Sequence, residues 1–209
     1  MKKNLFILCV GIAGFVACKD KKTETATATE TATKTETLAG DPSKDSAAIR
    51  TVIIDFYNWY NKEYKKLMGY NLYSSIKKKE MPPYKINWDE VDKLQSFIRS
   101  TVPQLGEEFL KNQRIMLQQA DSAFKVDVED EIPYGFDYDW YTSSQEEPSY
   151  LLNGINKSGK WIITVKGEEA SVEIGAPDDK DYLAGSLLLY VGMKKENGQW
   201  KIARIGGNE

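Results

Sequence analysis

The hydrophobic pattern of this 209-residue chain changes its period once, and that change constrains the fold more than any other feature. Between Ile49 and Ala120, apolar residues recur mainly every three or four positions, which is the spacing of amphipathic helices. From Leu151 onwards, short β-rich segments alternate apolar with polar residues, which is typical of strands with one buried face. Helices followed by an antiparallel meander indicate an α+β domain with the helices on one face of the sheet.

The helical half predicts three helices. The first begins with an N-cap at Asp45 or Ser46 and ends at Gly69, because serine and aspartate are good caps and glycine is a common C-terminal stop. The second covers residues 88–98. The third begins at a capping box formed by residues 101–104.

Two segments, 71–86 and 127–148, show no clear period, and we interpret them as irregular loops. The second half contains Asn197-Gly198, the dipeptide preferred in two-residue hairpin turns. Gly167 marks another turn between β-rich segments. The predicted strands cover Trp161–Val165, Ala170–Ile174, Leu183–Met193 and Trp200–Ile205.

The N-terminal segment predicts export. Lys2 and Lys3 precede an apolar run that ends at Val16. This run has about a dozen residues and is too short to span a membrane as a helix, which needs about 20. A basic start, a short apolar core and small residues before the cleavage point are typical of a secretory signal peptide. We therefore expect residues 1–17 to be removed.

The end of this segment, Phe15-Val16-Ala17-Cys18, resembles the lipobox of bacterial lipoproteins. The resemblance implies that Cys18 becomes the N-terminal residue and carries acyl chains such as palmitate. Each buried CH₂ contributes about 0.8 kcal/mol, so several chains hold a protein on a membrane durably. Residues 18–45 follow as a Thr-, Glu- and Ala-rich segment with Leu38 as its one large apolar residue. Such a composition predicts a disordered tether, which leaves residues 46–209 as the folded domain.

Composition excludes several function classes. The chain has no histidine, and Cys9 and Cys18 are its two cysteines. Cleavage removes Cys9 and lipidation occupies Cys18, so thiol catalysis, histidine catalysis and the usual zinc sites are excluded. The formal charge of −3 leaves no basic excess for nucleic-acid binding. We predict no cofactor and no metal site, and these exclusions favour a non-catalytic protein over an enzyme.

The closing segment Asn197–Ile202, the first-helix segment Ile54–Tyr60 and the lipobox resemble bacterial lipoproteins and periplasmic proteins of the DUF3828 family. The likeness covers Ala47–Gly206. It implies an NTF2-like cone, in which N-terminal helices pack on a curved antiparallel sheet built mainly from the C-terminal half. Such a cone can hold a pocket between helices and sheet. The aromatic candidates to line it are Tyr57, Tyr60 and Trp161, for which filling the core is the simpler interpretation.

The tether and the lipobox are also similar to those of Bacteroidetes lipoproteins, which implies an outer-membrane location in the cell envelope. Residues 19–22 carry more lysine than the surface-export signals of that group, so the choice between periplasmic face and cell surface stays open. Asp45-Ser46-Ala47 matches the three-residue O-glycosylation pattern of the same group. Ser46 is therefore a candidate glycosylation site as well as a candidate N-cap.

Acidic and aromatic residues interleave between residues 127 and 141. A solvated acidic loop is the simplest interpretation. Alternatively, carboxylates such as Asp137 and Asp139 could bind Ca²⁺, although the EF-hand spacing is missing, or act as a general acid and base. The aromatic residues would suit stacking against sugar rings or contact with a basic protein, and burial under the sheet is an equal alternative. The candidate ligand-binding residues of this loop are Tyr134, Phe136, Asp137, Tyr138, Asp139 and Trp140.

The sequence thus predicts a lipid-anchored envelope protein with a non-catalytic domain that binds an envelope protein or a glycan. Three alternatives come from other classes. They are a carboxylate-dependent hydrolase, a Ca²⁺-dependent glycan binder and an immunity-type protein that blocks a toxin with its acidic face. The sequence does not fix the oligomeric state.

Overall fold

The computed structural model describes residues 42–77, 81–126, 128–129 and 133–207, which all belong to one compact unit. The predicted signal peptide and Cys18 lie outside the described residues, as do the tether residues before Pro42. Within the described part, no helix is both long enough and apolar enough to cross a membrane. The elements are α1 (Pro42–Met68), β1 (Tyr73–Ser75), β2 (Tyr84–Ile86), α2 (Trp88–Thr101), α3 (Glu107–Val126), α4 (Pro148–Lys157), β3 (Trp161–Lys166), β4 (Glu169–Gly175), β5 (Leu187–Glu196) and β6 (Gln199–Ile205).

The larger sheet is an antiparallel meander in the order β3-β4-β5-β6. The β3–β4 and β5–β6 connections have two residues each. Asn197 and Gly198 have φ values of 52° and 76°, as the twist-matched type I′ hairpin turn requires. Gly167, with φ 63°, opens the other turn. The predicted fold class, α+β with N-terminal helices and an antiparallel sheet in the C-terminal half, is confirmed.

The main core lies between the inner face of this sheet and α1. Alternate residues of β4 point inward, so the predicted strand pattern gives a continuous apolar surface. Helix α1 covers that surface with the face that its three- and four-residue spacing predicts. Each fully buried aliphatic or aromatic side chain contributes about 1.5–3 kcal/mol. The central residues, all with at most 1% exposure, are Ile49, Ile53, Phe56, Tyr57, Tyr60, Val172, Ile174, Val191 and Ile202.

Helix α1 is longer at its start than the pattern predicts, because Asp45 and Ser46 lie within its first turns and not at an N-cap. The Asp45 carboxylate is used elsewhere. It accepts a hydrogen bond from Trp200 Nε1 at 2.8 Å and pairs with Lys195 Nζ at 2.9 Å. These contacts tie the start of α1 to the β5–β6 hairpin, and they lower the pKa of the Asp45 carboxyl.

Helix α3 does not begin at the predicted capping box. Thr101 is the last residue of α2, and α3 begins at Glu107. The cap comes from a distant hairpin, since the Glu196 carboxylate accepts hydrogen bonds from the backbone amides of Glu107 at 3.0 Å and Glu108 at 3.2 Å. Gly106 makes room for it, because a Cβ there would collide with Glu196 Oε1. No local pattern could reveal this cap.

Three further segments differ from the prediction. The segment 71–86 contains a small hairpin, β1–β2, in place of an irregular loop. Leu151 belongs to helix α4, because Leu151, Gly154 and Ile155 share a buried helical face. Strand β5 begins at Leu187, four residues later than expected. In each case a short apolar stretch has more than one compatible period, and packing decides between them.

Replacing Glu196 with alanine should lower the free energy of unfolding by about 1 kcal/mol, because two amides of α3 lose their acceptor. In a domain of this size that corresponds to a melting temperature lower by about 2–4 °C, measured by thermal circular dichroism. Glu168→Ala, at the exposed turn between β3 and β4, is the matched control and should leave the melting temperature unchanged. An equal decrease in both variants would contradict the capping role.

Candidate functional site

A cleft of about 860 Å³ lies between the C-terminal end of α1, the β1–β2 hairpin and the segment 133–141. Its volume is in the range typical of small-molecule sites. None of the described residues that line it carries a charge. Seven of them are aromatic, and they include three candidates from the predicted aromatic loop: Phe136, Tyr138 and Trp140.

The aromatic walls are built by ring contacts between segments that are distant in sequence. Tyr73 of β1 lies 4.6 Å from Phe136, and Phe136 lies 5.0 Å from Trp140, measured between ring centroids. Tyr84 of β2 continues the contact to Phe124 of α3 at 5.7 Å. The segment 133–141 is therefore packed on a second small core and forms a preformed wall of the cleft.

Polar groups at the hairpin side of the cleft are partly used within the fold. Ser74 Oγ donates a hydrogen bond to Asn87 Oδ1 at 2.9 Å, and Asn87 Nδ2 donates to the carbonyl of Asn71 at 2.7 Å. The side-chain amide of Asn71 and the hydroxyl of Tyr73 make no hydrogen bond within the described part of the chain. Both residues are exposed, so these groups can hydrogen-bond a ligand in the cleft.

Asp139 anchors the segment 133–141, which forms one wall of the cleft, through hydrogen bonds. Its Oδ2 accepts a hydrogen bond from the Tyr60 hydroxyl at 2.7 Å, and its Oδ1 accepts one from the Tyr141 amide at 2.8 Å. The Asp139 carbonyl accepts a further bond from the Ser143 amide at 2.7 Å. In addition, the Tyr57 hydroxyl donates to the Tyr141 carbonyl at 2.9 Å. Two tyrosines of α1 thus fix the segment that lines the cleft.

Burial raises the pKa of the Asp139 carboxyl, and the hydrogen bonds from Tyr60, Tyr141 and Thr142 act in the opposite direction. Burial and the nearby Asp139 charge raise the pKa of Tyr60, so its hydroxyl stays a donor at neutral pH. Asp137 differs, because it is exposed and its backbone carbonyl accepts from Gln145 Nε2. Neither aspartate is among the residues lining the cleft.

The structure therefore places the candidate site residues predicted from the sequence in different environments. Tyr57 and Tyr60 are buried in the core, at 1% and 0% exposure, so they support the site without lining it. Trp161 lies on β3 beneath Arg50, whose guanidinium carbon is 4.6 Å from the ring centroid. Tyr134 is 59% exposed and does not line the cleft. Ser46 stays a predicted glycosylation site.

Sequence reasoning did not find the hairpin side of the cleft. Asn71, Tyr73 and Tyr84 lie in the segment interpreted as irregular. The alternation of buried Tyr84 and Ile86 around exposed Lys85 is a strand signal, but three residues are too few to recognise it. The described residues contain no group of three or more carboxylates that could hold a metal ion. Asp127, Asp130 and Glu131 lie outside the described residues.

No family model matches this sequence, and no curated protein matches it. Among solved structures, the chain is similar to one from the type VI effector–immunity complex Tae3–Tai3 of Ralstonia pickettii. The similarity has a TM-score of 0.40 and 13% sequence identity, and it covers 77% of this chain and 97% of the other. A likeness of this degree indicates no shared function.

Asp139→Ala should lower the free energy of unfolding by about 1–3 kcal/mol, because the Tyr60 hydroxyl and the Tyr141 amide lose their acceptor. Asp139→Asn keeps an acceptor of the same shape and should cost less. Urea unfolding monitored by tryptophan fluorescence measures both values. An equal loss in the two variants would contradict the role of the side-chain acceptor.

A comparison of the wild type with Asp139→Asn also tests the direction of the pKa shift of Asp139. A carboxyl whose pKa is raised in the folded state contributes stability that is fully present below its unfolded pKa and decreases as the pH rises through the folded value. As the pH is lowered from about 7 to about 4, the melting temperature of the wild type should therefore rise relative to that of Asp139→Asn. The opposite trend would mean that the hydrogen bonds outweigh burial.

Proposed function

We propose that this protein is a lipid-anchored component of the bacterial cell envelope, with an NTF2-like domain of the DUF3828 type that binds a ligand without transforming it. The ligand occupies the cleft between the β1–β2 hairpin and the segment 133–141. The observation that supports this proposal is the lining of the cleft, which is aromatic, concave and uncharged. The lipid on Cys18 holds the domain at the outer membrane.

A binding role agrees with the positions of the carboxylates. General acid–base catalysis needs titratable groups within reach of the substrate. Both oxygens of Asp139 accept hydrogen bonds from α1 and from its own segment, and Asp139 lies outside the cleft lining. The described cleft residues that can titrate are tyrosines. This arrangement favours binding over hydrolysis.

The ligand that suits the cleft best is an uncharged glycan. Aromatic rings provide flat apolar faces for stacking, and the Tyr73 hydroxyl and Asn71 amide provide hydrogen bonds to hydroxyl groups. Glycan recognition commonly combines such contacts in a concave site, whereas protein partners usually require a large, flatter surface. Envelope glycans lie within reach of a domain tethered to the outer membrane.

Tyr138→Ala should weaken the binding of neutral envelope glycan fragments by about tenfold, because a good aromatic contact is worth about 0.5–1.5 kcal/mol in addition to its buried area. The measurement is isothermal titration calorimetry with the chain carrying Cys18→Ser. Tyr134→Ala is the matched control, since Tyr134 belongs to the same segment but not to the cleft lining. Its affinity should equal that of the unmodified chain.

The alternatives predict other results in the same samples. Turnover of the glycan that disappears in Asp137→Asn would support the hydrolase. A melting temperature that is higher with Ca²⁺ than with EDTA would support the Ca²⁺-dependent binder. Retention of a protein in place of a glycan, unaffected by Tyr138→Ala, would support the toxin-blocking alternative. Any of the three would overturn the proposed function.

The anchor is tested separately. Cys18→Ser should abolish incorporation of labelled palmitate and move the protein from the membrane fraction to the soluble fraction, because the acyl chains supply the membrane affinity. Cys9→Ser is the matched control, since Cys9 lies in the segment that is removed, and it should change neither result. Labelling that persists in Cys18→Ser would contradict the lipobox assignment.

A further inference from the structure

The two edges of the four-stranded sheet differ in their hydrogen bonds to the rest of the chain. The β6 edge is closed, because the amide of Gly106 donates to the Ile202 carbonyl at 2.9 Å and the amide of Ile202 donates to the Gln104 carbonyl at 2.8 Å. Asn112 Nδ2 adds a bond to the Ala203 carbonyl at 3.0 Å. At the β3 edge, within the described part of the chain, the hydrogen-bonded neighbour is β4 alone.

The phase of the β3–β4 ladder shows which backbone groups face outward. Lys166 and Glu169 flank the two-residue turn and form a hydrogen-bonded pair, as this kind of hairpin requires. At the other end, the amide of Gly175 donates to the Lys160 carbonyl at 2.8 Å. Even-numbered residues of β3 therefore bond to β4. The amides and carbonyls of Trp161, Ile163 and Val165 point away from the sheet.

Between its two ends, strand β3 lacks the features that usually keep an exposed edge from pairing. Natural edge strands are shortened, bulged, or carry proline, lysine or inward-pointing charge. The lysines of this edge, Lys160 and Lys166, lie directly before β3 and at its last residue, so residues 161–165 are uncharged. The six residues of β3 contain no proline, and its register with β4 runs without a shift. Its residues from Trp161 to Val165 are aromatic or β-branched, the types that favour strands. Ile162 on the outer face is 63% exposed.

We propose that β3 is a pairing edge for a second copy of this chain, joined in antiparallel orientation about a two-fold axis at Ile163. In this register the outward backbone groups of Trp161, Ile163 and Val165 meet those of Val165, Ile163 and Trp161 in the second copy. Ile162 then lies opposite Thr164. The two sheets become one continuous sheet of eight strands.

The apolar side chains of β3 complement one another in this two-fold register. The inner face would pair Ile163 with its own equivalent and Trp161 with Val165, and aromatic and β-branched cross-strand pairs are stabilising ones. Lys160 would lie opposite Lys166. Each of these charges already has an acid nearby in its own copy, since Lys160 pairs with Asp178 at 2.6 Å and Lys166 lies opposite Glu169 in the ladder.

Sedimentation equilibrium of the chain carrying Cys18→Ser tests the proposal, and it should show a monomer–dimer equilibrium. Ile163→Pro removes an outward-pointing amide without removing a donor to β4, and it should weaken dimerisation at least tenfold. Ile162→Lys should weaken it as well, because the two added charges would lie about 7–8 Å apart across the axis. Ile115→Lys, an exposed position on α3, is the control and should still dimerise.

Circular dichroism on each variant separates lost pairing from lost folding. If Ile163→Pro unfolds, the result for Ile162→Lys decides the test, because the Ile162 side chain is exposed and its replacement should leave the fold intact. In a mixed sample of labelled and unlabelled protein, nuclear Overhauser contacts between the Ile163 methyl groups of the two copies should appear. A monomeric wild type at about 0.5 mM, a concentration at which even weak dimers form, would overturn the proposal. So would a dimer that is unaffected by both substitutions.

Discussion

The hydrogen bond from the Tyr60 hydroxyl to the Asp139 carboxylate links the helical core to the segment that forms the cleft. Tyr60 is fully buried on α1, and its ring stacks on Phe56 at 5.7 Å between centroids. The hydroxyl at its tip reaches Asp139, whose other oxygen accepts from the Tyr141 amide. A buried donor without an acceptor is costly, so this segment is held in one position. Because the core fixes this segment, the segment keeps the position in which it forms the cleft wall.

This support explains why residues 133–141, which show no clear period in the sequence, take a defined position. Its aromatic rings are divided between two environments. Tyr141 is buried in the main core, while Phe136 and Trp140 pack on the smaller core formed with β2 and α3. Within the cleft, the accessible face of this segment is aromatic and uncharged, and it lies opposite the β1–β2 hairpin. A preformed site of this kind needs little reorganisation on binding, and that favours affinity for a weakly interacting neutral ligand.

Most of the regular elements could be predicted, and the elements that could not be predicted share a cause. Helix α1 and strands β3 and β4 carry long, clean periods, so their faces follow directly from the sequence. The β1–β2 hairpin is too short to show a period. The cap of α3 comes from Glu196, about ninety residues later in the chain, where no local signal can indicate it. The role of Asp139 depended in the same way on a partner in α1.

The sequence by itself determined the fold class and the inward faces of the longest elements. It also excluded histidine catalysis, since the chain has no histidine. It also indicated Phe136, Tyr138 and Trp140 as candidate ligand-binding residues. Tertiary structure alone decided that Tyr57 and Tyr60 fill the core and that Asp139 is a support. Among the described residues, it also left β3 with β4 as its one hydrogen-bonded neighbour while it closed the β6 edge. Periodicity is a local property, but burial and hydrogen-bond partners depend on which distant segments meet.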